Sequence, residues 1–296
     1  MSKVCFIGLG TMGFPMARNL LQGGHELRVF DINADATAKF AGLGGHACKS
    51  PRDAAQGTDF VITMVPNSPH VRSALFDEAG AVHAMRPDTL FIDMSTIHPL
   101  ETDAIAARLA QKKIKMVDAP VGRGSVQAEQ GKLLIMAGGD AADVERARPL
   151  FERMGDTIIH CGPPGSGARI KVINNFMSGS LCVLTAETLT LAERAGVDIK
   201  TAIKVMMCTP AGQGQLGTNY AAKVLAGDVT PGFMVDLAHK DLGLALDLGS
   251  AMKVPLPMGA VAREAYNLAR SRGYGRKDWT SIYDLLRTVT KDTAPQ

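Results

Sequence analysis

The chain has 296 residues, of which 46% are hydrophobic, 5% aromatic and 21% charged, with a formal net charge of +3. That length carries two domains, or one large one, around a mostly aliphatic core. Acids and bases are spread without a basic run, which gives no footing for nucleic acid, and no apolar stretch is long enough to span a membrane.

Residues 1–4 lead almost directly into the first apolar run, so no leader segment is expected. The five cysteines, Cys5, Cys48, Cys161, Cys182 and Cys208, are scattered and form no C-x-x-C or Cys/His metal spacing. Reduced thiols in a cytoplasmic protein without a metal are the expectation.

Apolar runs recur at 4–7, 27–30, 60–65, 90–92, 116–117 and 133–137, with helix-like stretches between most of them. Such alternation predicts a doubly wound, mostly parallel sheet with helices on both faces, the α/β Rossmann arrangement. Behind the first run stands Gly8-Leu9-Gly10-Thr11-Met12-Gly13, opening a helix pattern over 12–22. Gly8 permits a tight turn, Gly10 lets backbone approach a pyrophosphate, and Gly13 lets helix and strand pack closely. The helix N-terminus then offers free N–H groups to phosphate.

Asp31 closes the second run, about 20 residues beyond the glycines. Its carboxylate suits two ribose hydroxyls and repels a 2′-phosphate, and neither Ile32 nor Asn33 brings a cation, so NAD (as NADH) is expected over NADP. The competing reading of Asp31 is an ordinary strand-end turn residue. Met64-Val65-Pro66-Asn67 and Asp93-Met94-Ser95-Thr96 fall at the carboxyl ends of further predicted strands, where ligands bind in open α/β sheets. Met64, Val65, Pro66 and Thr96 are therefore assigned to the cofactor and Ser95 to the substrate, with helix capping before Pro99 as the alternative for Ser95 and Thr96.

After Cys161 the character changes. Gly162-Pro163-Pro164-Gly165-Ser166-Gly167 is a breaker cluster in which Ser166 is a candidate helix N-cap. A proline-free stretch over about 168–195 predicts a helix of roughly 40 Å joining two domains, 1–163 for the nucleotide and an all-helical 164–296. On it, Lys171, Asn174, Asn175 and Ser178 share one face, flanked by Val172, Ile173, Phe176 and Met177. A polar stripe between hydrophobes predicts a lined cavity, the rival reading being a solvated stripe. Carbonyl reduction needs a proton for the nascent alkoxide, and an ammonium beside that oxygen both polarises and protonates it. Lys171 is the candidate acid and Asn175, one turn on, its orienting partner. The rest reads as helical, with breaks near 209–217, 227–232 and 255–259 and a frayed tail after Thr290.

Over essentially its whole length the chain resembles the β-hydroxyacid dehydrogenases. The resemblance rests on the glycine motif, on Asp118-Ala119-Pro120-Val121, on Gly165-x-Gly167-x-x-x-Lys171-x-x-x-Asn175, and on FMVDLAHKDLGLALD from Phe233 to Asp247. It implies a Rossmann domain, an interdomain helix, an all-helical second domain and a homo-oligomer, a homodimer or homotetramer. It also implies Lys171 as essential acid/base supported by Asn175, Ser95 or Thr96 and Lys240 near the nicotinamide, and Asp247 in the same terminal motif. Most relatives carry Ser-Gly-Gly where this chain has Gly122-Arg123-Gly124. Those small residues give N–H groups to a substrate carboxylate, and Arg123 adds a planar cation able to fork onto a multi-oxygen anion. With Asn174 and Ser178 as neutral donors, the set suits a tetrahedral sulfonate better than a flat carboxylate. Alternatively Arg123 faces solvent or pairs with Glu129. The further runs Ser95-Thr96-Ile97-His98-Pro99-Leu100 and Gly275-Arg276-Lys277-Asp278-Trp279 narrow the resemblance to a member that reduces a sulfonated aldehyde with NADH. The small anionic aldehyde could instead be a carboxylate. A nucleotide-binding protein without chemistry, a more distant reading, has no need of Lys171.

Overall fold

The computed structural model describes residues 1–290, so the tail expected to fray lies outside the described residues. By packing, the chain divides into two units, Met1–Phe176 and Met177–Gln296. The division falls inside the long helix, whereas the breaker cluster suggested a boundary ahead of it.

The first unit is built on a 9-stranded sheet. Its strands are β1 (Lys3–Ile7), β2 (Glu26–Phe30), β3 (His46–Ala47), β4 (Phe60–Thr63), β5 (Leu90–Asp93), β6 (Lys115–Asp118), β7 (Val121–Gly122), β8 (Leu133–Gly138) and β9 (Gly155–Gly162). The order is β3-β2-β1-β4-β5-β6-β8-β7, with β9 on β8. Pairing is parallel from β3 through β6, antiparallel where β8 meets β6 and β7, and parallel again from β8 to β9.

Successive side chains on a strand point to opposite faces, and both faces are covered. Val4 and Phe6 join one buried cluster with Ile62, Ile92, Leu20 and Phe151. Cys5 and Ile7 join the other with Val61, Phe91, Val71 and Leu109. The covering helices are α1 (Gly13–Gln22), α2 (Ala34–Ala41), α3 (Pro51–Ala55), α4 (Ser68–Phe76), α5 (Pro99–Ala110), α6 (Ser125–Glu129) and α7 (Ala141–Met154). Because β1 lies between β2 and β4, strand order reverses there, and the crevice beyond its carboxyl end is the natural ligand site.

Helix α8 (Ser166–Arg194) follows. Ser166 is its first residue and not its cap. The capping oxygens come from far away in sequence, from Asp118, which accepts the Gly165 and Ala168 N–H groups. Likewise α5 is capped by His98, whose Nδ1 accepts the Leu100 N–H, and not by Ser95 or Thr96.

The second unit is helical, with α9 (Ile199–Met207), α10 (Pro210–Gln213), α11 (Val235–Met252), α12 (Pro257–Ser271) and α13 (Ile282–Thr290). Its core is small: Val235, Ala269 and Leu285, supported by Tyr266, Tyr274 and Ile282. Two buried carboxylates pin it. Glu187 accepts the Met258 and Gly259 N–H groups at the start of α12, and Asp278 accepts those of Gly232 and Phe233. Among the described residues, no helix is long and apolar enough to cross a membrane.

Candidate active site

At the end of β1 the glycine turn opens a cavity of about 780 Å³, lined among others by Gly8, Gly10, Thr11, Met12 and Gly13. The turn's glycines have distinct physical causes. A Cβ on Gly8, which stands at φ +101°, would collide with the Met64 carbonyl, and one on Gly13 would strike the Gly8 carbonyl. Gly10, by contrast, faces open space within 4 Å. Two glycines therefore close the turn against its surroundings while the third leaves a cradle at the start of α1, a fit for the diphosphate of a dinucleotide.

Asp31 lines the same cavity. Its Oδ2 accepts the Leu9 N–H at 2.6 Å and its Oδ1 the Asn33 N–H at 2.7 Å. Each carboxylate oxygen keeps acceptor capacity for a ribose hydroxyl. Leu9 itself turns its side chain into the core, and its N–H is spent on Asp31, so it supports the cavity without lining it. Ile32 and Asn33 line the cavity too and add no cation. Met64, Val65, Pro66 and Thr96 also line it, as the strand-end rule requires. So do His70, Ser73 and Asp77 on and just after α4, which sequence reasoning missed. Their only sequence signal was position, one helix beyond the β4 end.

Ser95, expected at the substrate, lies buried at the strand ends. It is 2% exposed, and its Oγ accepts the Val65 N–H at 3.0 Å while its hydroxyl bonds to Asp93. That ties the ends of β4 and β5 together and occupies the side chain with protein partners. Asp93 also accepts from the Thr63 hydroxyl, at 2.8 Å. It and Asp118 sit side by side in the β5–β6 register. Burial pushes each carboxyl up to about 6, against the hydrogen bonds that favour its ionised form.

From the Asp118 cap, α8 carries Lys171 three residues past Ala168. Arg169 holds the same turn from outside, its guanidinium forked onto Asp103 of α5 at 3.0 and 2.6 Å. Lys171 is half-buried, and burial pulls its amine below the ordinary lysine range. Among the described residues, no carboxylate pairs with it. Asn174 and Asn175 follow on the same helix, exposed, with the Asn174 amide donating to Asn175 Oδ1 at 3.3 Å. Asn175 thus bonds its neighbour in this structure and not the Lys171 amine.

Gly122 ends β7, and Arg123 and Gly124 follow it in the loop before α6. Arg123 stands at φ +73°, a left-handed conformation that suits glycine. Its guanidinium pairs neither with Glu129 nor with solvent alone: it donates to the Lys132 carbonyl, to Asp156 Oδ1 and to Thr157 Oγ1. Of the remaining expected residues, Ser178, Lys240 and Asp247 belong to the second unit. Ser178 is exposed on α8, and the exposed Lys240 amine lies 2.9 Å from Asp241.

The comparisons with known proteins agree with the fold and with a nicotinamide dinucleotide as cofactor. Residues 3–162 match the family described as the NAD binding domain of 6-phosphogluconate dehydrogenase. Residues 165–286 match that described as NAD-binding of NADP-dependent 3-hydroxyisobutyrate dehydrogenase. The chain is 49% identical to the 3-sulfolactaldehyde reductase of Escherichia coli (strain K12), over 99% of both chains. It is 38% identical to the NAD-dependent L-serine dehydrogenase of Pseudomonas aeruginosa, over 97% of this chain and 98% of that one. Among solved structures it resembles 3-hydroxyisobutyrate dehydrogenase of Mycobacterium tuberculosis with L-serine, at 34% identity and a TM-score of 0.69, covering 97% and 99% of the two chains.

Proposed function

The chain belongs to the β-hydroxyacid dehydrogenase family, NAD-dependent oxidoreductases acting on CH–OH groups, and from that premise we propose that it reduces 3-sulfolactaldehyde to 2,3-dihydroxypropane-1-sulfonate, a step of sulfoquinovose degradation. The observation that carries the reading is Lys171: a half-buried amine with a lowered pKa and no carboxylate beside it among the described residues. Such an ammonium is poised to give up its proton, because burial disfavours its charged form and no ion pair restores it.

When bound, NADH supplies the hydride to the aldehyde carbon. Lys171 gives a proton to the oxygen, so one aldehyde, one hydride and one proton make one alcohol. Asn175 orients that end of the substrate. Arg123, Asn174 and Ser178, with the Gly122 and Gly124 N–H groups, hold the sulfonate, and Lys240 serves the nicotinamide end. The 49% identity with a sulfolactaldehyde reductase and the arginine in the loop support the sulfonate. A carboxylated substrate is the second reading, favoured by one specific observation: Arg123 is already engaged by Asp156. Steady-state kcat/KM with NADH for 3-sulfolactaldehyde against tartronate semialdehyde, succinic semialdehyde and the aldehyde that corresponds to 3-hydroxyisobutyrate decides between them. A preference for any of the carboxylates rejects the sulfonate reading.

A homo-oligomer formed by the second unit is part of the same proposal. Val205, Leu216, Leu244 and Val261 are 59–69% exposed, and apolar side chains left in water at these positions support a partner surface on this unit. Light scattering tests it, and a monomer at micromolar concentration rejects it. All five cysteines are unpaired, which supports a reducing, cytoplasmic setting.

A further inference from the structure

The buried carboxylate of Asp118 does work that no local residue of α8 could do. A helix begins with N–H groups that lack partners, and here the breaker cluster Gly162 to Gly167 offers no acidic or amide side chain to take them. Asp118, at the end of β6, takes them from 47 and 50 residues away: Oδ1 accepts from Gly165 at 2.6 Å and Oδ2 from Ala168 at 2.7 Å. Both oxygens engage, so the helix start is fixed in direction as well as position. The carboxylate also complements the positive end of the helix dipole.

The surroundings leave no slack in this joint. An added Cβ on Gly138 would lie 2.7 Å from Asp118 Oδ1 and 2.6 Å from the Gly167 nitrogen, and one on Gly167 would lie 2.6 Å from the Asp118 carbonyl. Outside the turn, the Arg169–Asp103 fork blocks rotation of α8 about its axis. A Cβ on Gly165 would crowd that fork, at 2.5 Å from Asp103 Oδ1. The two motif glycines thus exist for close approach: one lets the cap reach the amide, the other lets the fork close. Lys171 sits one turn beyond this double anchor.

We propose that Asp118 is the positioning residue for Lys171: by holding the Gly165 and Ala168 N–H groups it sets the start and rotation of α8, and with them the place of the amine. The inference rests on the reading of Lys171 as proton donor. Asp118 itself is 2% exposed and is not among the residues lining the glycine-turn cavity.

The test compares wild type with Asp118→Ala, Asp118→Asn and Lys171→Ala. The substrate is whichever of 3-sulfolactaldehyde, tartronate semialdehyde and succinic semialdehyde the wild type reduces fastest with NADH. Asp118→Ala lowers kcat by about ten- to a hundredfold, the scale of a displaced catalytic group. KM for NADH stays within about twofold, because cofactor binding is untouched. Asp118→Asn falls between, since its single carbonyl oxygen still accepts one N–H. Hydrogen exchange quickens in peptides covering 165–171 and not in those covering 3–30. Wild-type kcat in Asp118→Ala, or an equal rise in KM for NADH, overturns the proposal, as does exchange that quickens everywhere alike. If Asp118→Ala does not fold, Asp118→Asn carries the test on the same terms. Lys171→Ala keeps the two readings apart: full turnover there removes the proton donor and this inference with it, whereas a dead Lys171→Ala beside an intact Asp118→Ala removes only the positioning role.

Discussion

Arg123 donates from Nη1 to Asp156 Oδ1 at 2.6 Å while its own backbone stands at φ +73°. A left-handed backbone costs an L-residue about 1–2 kcal/mol, so an arginine kept where glycine would sit at ease points to a use for its charge. The partner is partly solvated, with side chains 39% and 46% exposed, and exposed ion pairs hold weakly. On the proposed reading of Arg123 as the anion's holder, Asp156 competes with the substrate for the same guanidinium. Asp156→Asn frees it, and KM for 3-sulfolactaldehyde falls by about two- to fivefold with kcat little changed. Steady-state kinetics check this, and a raised KM shows instead that Asp156 holds Arg123 in its working pose.

The complementary substitution separates charge from conformation. Arg123→Gly relieves the left-handed strain, so thermal stability stays within about 1–2 kcal/mol of wild type despite three lost hydrogen bonds. Its effect falls on selectivity. A sulfonated aldehyde loses about 1–3 kcal/mol of transition-state binding, the range for a charged hydrogen bond at a partly solvated guanidinium. Carboxylated aldehydes, served by backbone N–H groups, lose far less. Equal losses for both classes discard the sulfonate pocket.

Lys171 has a pH signature of definite sign. Burial lowers its pKa from the lysine value, so its proton leaves earlier as pH rises. With Lys171 as the proposed proton donor, aldehyde reduction is expected to need the ammonium and to decline on the alkaline side, with its break below 10.5. Oxidation of the alcohol needs the free amine and rises over that same span. Lys171→Ala removes both limbs and about 10²–10⁴ of the rate. Measuring kcat against pH in each direction is the check; a reduction rate flat through the alkaline range assigns the proton to another group.

How much of this was legible in the sequence follows from how local each cause is. The glycine turn, Asp31 and the parallel strands β1, β2, β4, β5 and β6 announce themselves because each pattern is contained in a few adjacent residues. The polar stripe that carries Lys171 was legible because helical spacing gathers it from one segment. Strand β9 was not, since its side chains are mostly partly exposed and no apolar alternation marks it. The α8 cap was misread as Ser166 because the residue that does the capping lies on another strand. The bonds of Ser95 were hidden for the same reason: its partners, Val65 and Asp93, depend on which strands are neighbours. Arg123 was read for its charge alone, since φ at a Gly-Arg-Gly loop and the reach to Asp156 are tertiary facts.

The buried carboxylates Asp93 and Asp118 give stability its own pH dependence. Both carboxyls are pushed up to about 6 from 3.8, so the folded chain binds protons more tightly than the unfolded one between those values. Stability from this source is complete below the unfolded value and lost as pH rises through about 6. His25, whose pKa is lowered by burial, works in the opposite sense, so the wild-type curve alone mixes the two. Asp93→Asn isolates the carboxylate. Its Tm, measured between pH 5 and pH 7.5, rises relative to wild type as pH increases; curves that stay parallel exclude a buried carboxylate titrating there.

Asp31 couples cofactor choice to the integrity of the glycine turn. Its carboxylate accepts the N–H of Leu9, a residue only 4% exposed, and that of Asn33. Deleting it to alanine would leave a buried donor unpaired, at a cost of about 1–3 kcal/mol. Asparagine is gentler: its carbonyl oxygen keeps one of the two contacts, while its NH₂ can only face the other N–H donor. The same change removes the negative charge that repels a 2′-phosphate. Ile32, 89% exposed at the cavity rim, is the place to add a cation, since an arginine there displaces no packing. Asp31→Asn with Ile32→Arg is therefore expected to raise KM for NADH and lower it for NADPH, moving the ratio of kcat/KM by about 1–3 kcal/mol, the strength of a charged hydrogen bond. A double variant that still refuses NADPH while remaining folded shows that another part of the wall excludes the phosphate, and Asp31 then serves the turn more than the ribose.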